Sequence, residues 1–133
     1  MEEIIKEIAG SLDCSEVVFL HKETHEMLSY PVAENGYVDE EFDFIKEEVM
    51  EVINAAPDNY TRFDPLSSRE SFQMMEDFIE TVKDERIRAR LIDAISIRKP
   101  FRNFRNAVED EEILDDWYAY KNAYLQMYVR DRL

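Results

Sequence analysis

The chain has 133 residues, the length of one ordinary domain, with 31 acidic against 16 basic side chains and a formal net charge of −15. Apolar residues make up 45% and aromatics 12%, with 2 Gly and 4 Pro, which excludes a disordered chain despite the charge and fills one core with little left for a second. No 18-residue apolar run can span a membrane, the charged stretch Met1-Glu2-Glu3-Ile4-Ile5-Lys6-Glu7 does not read as a secretory signal, and the lone Cys14 has no intrachain disulfide partner, so the expectation is one cytoplasmic domain, 1–133, with no membrane partner.

Ile4, Ile5, Ile8 and Leu12 recur at helical spacing, and Gly10-Ser11 offers that helix an end. The β-branched and aromatic run Val17-Val18-Phe19-Leu20-His21 and a second run, Met27-Leu28-Ser29-Tyr30-Pro31-Val32, are joined by Lys22-Glu23-Thr24-His25 and predict a hairpin. A type I turn there puts His25 in the left-handed position, at a cost of about 1 kcal/mol for a residue other than Gly. The register expected from it places Val18, Leu20, Leu28 and Tyr30 on one face, and Pro31 makes the second strand an edge. Asn35-Gly36 marks a turn, after which Asp39 caps a predicted amphipathic helix over 39–55. Phe42, Ile45, Val49 and Val52 face inward on it, and Glu40, Asp43, Glu47, Glu48 and Glu51 face outward.

Tyr60-Thr61-Arg62-Phe63 alternates as a third strand. Ser67-Ser68-Arg69-Glu70 matches a capping box and starts a helix with Phe72, Met75, Phe78 or Ile79, and Val82 inward. Asp84 caps the next, whose apolar stripe is Ile87, Leu91, Ala94 and Ile95 with Arg86, Arg88 and Arg90 on its flanks. Lys99-Pro100 ends that pattern and begins a short helix carrying Phe101, Phe104 and Val108 on one side. The acidic break Glu109 to Glu112 precedes a last helix with Ile113, Trp117, Tyr120, Tyr124 and Met127. The expected fold class is α+β, a mainly helical single domain with a small antiparallel sheet made of the N-terminal hairpin and the third strand.

The charge is segregated. Residues 1–82 hold 5 basic and 21 acidic side chains, a balance of −16, whereas 83–105 hold 8 basic against 3 acidic, a balance of +5. Residues 106–133 return to −4. Such a field opposes long-range approach of nucleic acid or an anionic membrane, but screening confines the repulsion to about 8–10 Å at physiological salt, so the basic island can act locally.

Glu23-Thr24-His25-Glu26, Phe72-Gln73-Met74-Met75-Glu76-Asp77-Phe78-Ile79, Arg98-Lys99-Pro100-Phe101-Arg102-Asn103-Phe104-Arg105 and Asp116-Trp117-Tyr118 together resemble an uncharacterised protein family of small acidic bacterial proteins. Members of that family carry a Glu-Thr-Gly-Glu type turn, a Phe-x-x-Met-x-x-Phe-Ile helix, a Lys-Pro-Phe-Arg-x-Phe-Lys segment and a tryptophan-bearing final helix. The chain departs from the pattern at His25, where Gly is usual, and at Arg105, where Lys is common. The resemblance implies no reaction, substrate or cofactor.

The candidate anion- or partner-binding residues are Arg98, Lys99, Arg102 and Arg105. Cations near a helix N-terminus face the positive end of the macrodipole, which costs about 0.3–1 kcal/mol each when exposed, and something must offset it. A phosphate or a partner's carboxylates held by guanidinium forks is one answer; internal pairing with Glu109 to Glu112, Asp115, Asp116 or the acidic helix 39–55 is the other. Trp117, Tyr118, Tyr120, Tyr124 and Tyr128 could stack bases, but Trp117, Tyr120 and Tyr124 fall at core spacing. His21 and His25 with Glu23 and Glu26 lack a second ligand cluster, so no metal is expected, and no cofactor. Cys14 has no evident base, and there is no Gly-rich phosphate loop, H-E-x-x-H or G-x-S-x-G, so the expectation is a protein that is not an enzyme. The functional expectation is a macromolecular interaction module with a protein partner. The alternatives are an acidic nucleic-acid mimic that binds a basic protein, and local RNA, DNA or phosphate binding through 83–105.

Overall fold

A computed structural model describes residues 1–33 and 36–133. The turn expected at Asn35-Gly36 begins outside the described residues. The elements, in chain order, are α1 (Glu2–Asp13), β1 (Glu16–His21), β2 (Met27–Pro31), α2 (Asp43–Ala55), β3 (Tyr60–Phe63), α3 (Ser68–Thr81), α4 (Glu85–Ile95), α5 (Pro100–Asp110) and α6 (Leu114–Arg132). Short 3-10 turns, Glu40–Phe42 and Pro57–Asn59, precede α2 and β3. The α+β class with a small antiparallel sheet holds. No helix among the described residues is long and apolar enough to cross a membrane. Chain contacts group the molecule into two compact units, Met1–Leu66 with Leu125–Leu133, and Ser67–Tyr124.

The first unit is built on a three-stranded antiparallel sheet in the order β2-β1-β3. β1 is central and apolar on both faces. Val18 and Leu20, with Phe63 of β3, pack against Ile5, Ile8, Ala9 and Leu12 of α1 and against Leu125 and Val129 at the end of α6. Val17 and Phe19, with Tyr30 of β2, pack against Val49 and Ile53 of α2. Each of the valine, leucine, isoleucine and phenylalanine side chains among them, fully buried, contributes about 1.5–3 kcal/mol of transfer free energy.

The hairpin register corrects the expected one by one residue. Val17 stands opposite Tyr30 and Phe19 opposite Leu28, so Val17, Phe19, Leu28 and Tyr30 share a face, and Val18 and Leu20 lie on the other. A four-residue turn closed between His21 and Glu26 sets this pairing, with the His21 N–H donating to the Glu26 carbonyl at 2.9 Å. His25 is left-handed as expected, at φ 61°, and Pro31 ends an edge strand.

Three helix expectations also shift. α1 runs through Gly10-Ser11 to Asp13, because the left-handed residue that stops it is Ser15, whose N–H bonds the Leu12 carbonyl. α2 begins at Asp43, Asp39 makes no side-chain cap, and its buried stripe is Val49 and Ile53 while Val52 is exposed. The buried side of α2 therefore lies toward Ile53, one residue past the expected Val52, rather than along the 45, 49, 52 stripe.

The second unit is helical. The Ser67–Glu70 capping box forms in full at the start of α3, and Asp84 accepts the Arg86 and Ile87 N–H groups at the start of α4. Phe78, Phe104 and Trp117 meet edge to face, with centroids 4.9 to 6.1 Å apart, and Leu91, Val108 and Ile79 of the same unit are buried. Two expected core residues are outside: Phe101 is exposed on α5, as is Met127 on the portion of α6 that belongs to the first unit. α5 ends in a Schellman arrangement, with the Ile113 N–H on the Val108 carbonyl and the Glu112 N–H on the Glu109 carbonyl, and Glu112 takes the left-handed position at φ 60°.

Candidate functional site

The basic island divides in two. Arg86 forms a fork with both carboxylate oxygens of Glu111, at 3.0 and 2.8 Å, and Arg90 reaches Glu111 at 3.1 Å and Asp110 at 2.9 Å. The Glu111 side chain is 8% exposed. The Arg86 hydrogen bond, joined by that from Arg90, holds its carboxyl below the ordinary 4.5. Arg88 turns back and donates to the Val82 carbonyl. These arginines lock α4 to the C-terminal end of α5 and to the segment before α4.

Arg98, Lys99, Arg102 and Arg105 gather at the other end, on the α4–α5 corner. All four are exposed, and among the described residues no acidic group lies within ion-pair distance of any of them. Arg105 lies over the Tyr118 ring at 5.8 Å. The carboxylates of 109–116 therefore do not neutralise the candidate residues; those that pair serve Arg86 and Arg90. No acidic residue and no side-chain cap stands in the first turn of α5.

The corner is held rigidly from within. Asn103 donates to the Arg98 carbonyl at 2.8 Å and to the Ala94 carbonyl at 3.2 Å, tying α5 to the end of α4. Lys99 is left-handed at φ 60°, ψ 55° immediately before Pro100. The residue before a proline is steered toward extended backbone, so this conformation is disfavoured twice over and persists because its surroundings impose it. Around the cations stand apolar side chains that face water: Ile97 is 65% exposed, and Ile92 and Phe101 are nearly half exposed. The Phe101 ring meets Phe72 of α3 edge to face at 6.5 Å. Phe72, Ile79, Ile92 and Ile95 line an open groove of about 570 Å³ beside it, with Glu76 and Glu80 on the α3 rim.

The Lys-Pro-Phe-Arg-x-Phe segment thus forms one mixed basic and apolar corner in a chain whose whole length, residues 1–133, matches the family described as "Uncharacterised protein family (UPF0158)". The chain belongs to UPF0158. A curated relative, "UPF0158 protein PA5073" of Pseudomonas aeruginosa, is 34% identical over 87 residues, which cover 65% of this chain and 57% of the relative. The match thus spans little more than half the length of that UPF0158 protein. No solved structure matches the chain at a significant level.

The aromatic residues of α6 do not join the corner as a stacking platform. Trp117 is buried, and Tyr120 and Tyr124 are half-buried with hydroxyl pKa values raised by burial and by Asp77 nearby. Among the described residues no cluster of three metal-ligating side chains occurs. His21 is occupied otherwise: its Nδ1 accepts the Glu23 and Thr24 N–H groups, both at 3.1 Å, and caps the hairpin turn. Sequence reasoning missed Ile92, Ile97 and Asn103. Ile97 carried a signal, since it lies outside the 87, 91, 94, 95 stripe, two residues before Lys99-Pro100.

Proposed function

We propose that this chain is a non-enzymatic interaction module that binds a partner protein through the α4–α5 corner. The observation that supports the reading is the combination, on one internally braced corner, of four exposed cations without acidic partners among the described residues and three exposed apolar side chains. Buried aliphatic and aromatic anchors next to guanidinium groups are what protein interfaces use for affinity and orientation. The reading favours a protein with acidic side chains over a nucleic acid. Arg86 and Arg90 are committed to carboxylates, which leaves few cations for a phosphate backbone, and the net charge of −15 opposes a polyanion at long range. We place the module in the cytoplasm, where the exposed thiol of Cys14 stays reduced.

The test is affinity capture from the host's soluble fraction with the wild type, an Arg98→Glu, Arg102→Glu variant and a distant Glu3→Lys control. Loss of the same partner from the corner variant alone supports the reading, with binding weakened by about tenfold or more per reversed, desolvated charge pair. Identical partner sets for all three proteins remove the corner from the function.

A further inference from the structure

The chain carries a surface complementary to its own corner. The exposed side of α2 presents Phe44, which is 60% exposed and lies away from the buried Val49 and Ile53, and, on its flank, Val52, which is half exposed. Exposed Glu47, Glu48 and Glu51 lie between and beside them. Phe44 and Val52 are eight residues apart, about 12 Å along the helix axis, so two apolar anchors flank a row of carboxylates. The α4–α5 corner offers the inverse pattern, with Ile92, Ile97 and Phe101 beside Arg98, Lys99 and Arg102. A single exposed apolar side chain needs no explanation; two faces of opposite charge, each with exposed large apolar groups, do.

We propose that the outer face of α2 from one copy docks on the α4–α5 corner of a second copy. Phe44 and Val52 seat against Ile92, Ile97 and Phe101, and the glutamates of α2 meet Arg98, Lys99 and Arg102. Glu76 and Glu80 on the α3 rim repel an incoming acidic helix and so direct its carboxylates to the cationic side, which gives the contact an orientation. The proposal rests on reading the corner as a binding surface, and it names a second copy of the chain as a partner. Two different faces meet, so the contact is heterologous. It closes when two copies reciprocate and extends into a chain of copies when they do not. The net negative charge of each copy works against encounter at low salt, whereas the local pairs are shorter than a Debye length. Association therefore has its maximum at intermediate ionic strength and falls at high salt, where the pairs are screened.

The experiment is sedimentation of the purified whole protein over a concentration and salt series. Wild type is expected to self-associate near about 100 mM salt and to lose association by about tenfold in affinity near about 500 mM. Arg98→Glu with Arg102→Glu, and separately Glu47→Lys with Glu51→Lys, each give monomers. An equimolar mixture of the two variants associates again, because each keeps the face the other lacks. Phe44→Ser weakens association without changing its salt dependence. A wild type that stays monomeric throughout, or association that survives both charge reversals, overturns the proposal. A monomeric wild type that still captures a foreign partner through the corner overturns this inference and leaves the proposed function standing. Self-association that the corner variant loses, with no foreign partner captured, upholds both, with the second copy as the partner protein.

Discussion

Among the described residues, four other than glycine occupy the left-handed region: Ser15, His25, Lys99 and Glu112. Gly10, by contrast, lies inside α1, where its freedom is not used. Each of the four positions costs about 1 kcal/mol relative to glycine before the extra unfolded-state freedom of glycine is subtracted. At Glu112 the geometry is a helix stop and nothing else, whereas at Lys99 the strain coincides with the exposed cations and the following proline. Glu112→Gly and Lys99→Gly should each raise unfolding free energy in urea by up to about 0.5 kcal/mol, the part of the strain that glycine's unfolded-state freedom does not cancel. Lys99→Ala, which removes the charge and keeps the strain, should gain nothing. Lys99→Gly should also weaken partner binding while Glu112→Gly leaves it unchanged, the pattern expected when a strained residue is retained for function rather than for folding. A Lys99→Gly protein less stable than Lys99→Ala by about 0.4–1 kcal/mol, the full cost of glycine's unfolded-state freedom, would show that no strain is stored there.

The Arg86–Glu111–Arg90 contact joins α4 to the end of α5 and makes that pair of helices pH-dependent. A carboxyl held below its ordinary 4.5 in the folded chain stabilises folding at pH values above 4.5, and the contribution is lost as pH falls through the lowered folded value. In urea melts, Glu111→Gln should therefore be less stable than wild type near neutral pH, and the gap should narrow as the pH falls below 4.5. A gap that stays constant down to pH 3 would assign Glu111 a packing role instead. The contact also marks where sequence reading stopped. The capping box at Ser67, the Asp84 cap, the proline start of α5 and the third strand were legible because their chemistry is local, within three or four residues. The hairpin register was not. Val17 to Leu20 are all buried, so the apolar pattern of β1 fits either pairing, and only the turn closure at His21 and Glu26 decides between them. The four candidate cations were legible as a cluster, but their freedom was not, since the carboxylate that takes Arg86 lies 25 residues away in the chain. The exposed apolar half of the corner stayed hidden for the same reason: the position of Phe101 on α5 fits the core stripe, and only packing turns it outward.

The charge of the whole molecule follows its two compact units. Met1–Leu66 with Leu125–Leu133 holds 6 basic and 18 acidic side chains, a balance of −12, and Ser67–Tyr124 holds 10 and 13, a balance of −3. Self-repulsion within a folded unit destabilises the compact state, and salt relieves it over a range set by the Debye length, about 30 Å at 0.01 M and about 8 Å at 0.15 M. Close ion pairs respond in the opposite sense. The first unit has an excess of acidic side chains on α1 and α2, and its ion pairs Arg130 with Glu2 and Arg62 with Asp64 are exposed. The second unit is held in part by the sheltered Glu111 cluster, whose pairs are screened less than exposed ones. Raising sodium chloride from about 10 to about 200 mM should therefore stabilise the first unit by about 1 kcal/mol and leave the second nearly unchanged. Residue-resolved amide exchange reads the two units separately, because protection reports local opening. Amides of Ile5 to Leu12 and of Val49 to Ile53 should gain protection about fivefold, while those of Leu91 and Phe104 to Val108 should hold within about twofold. Equal gains in both units would mean that the acidic excess acts on the molecule as one body, and the separation of charge between the units would then have no part in their stability.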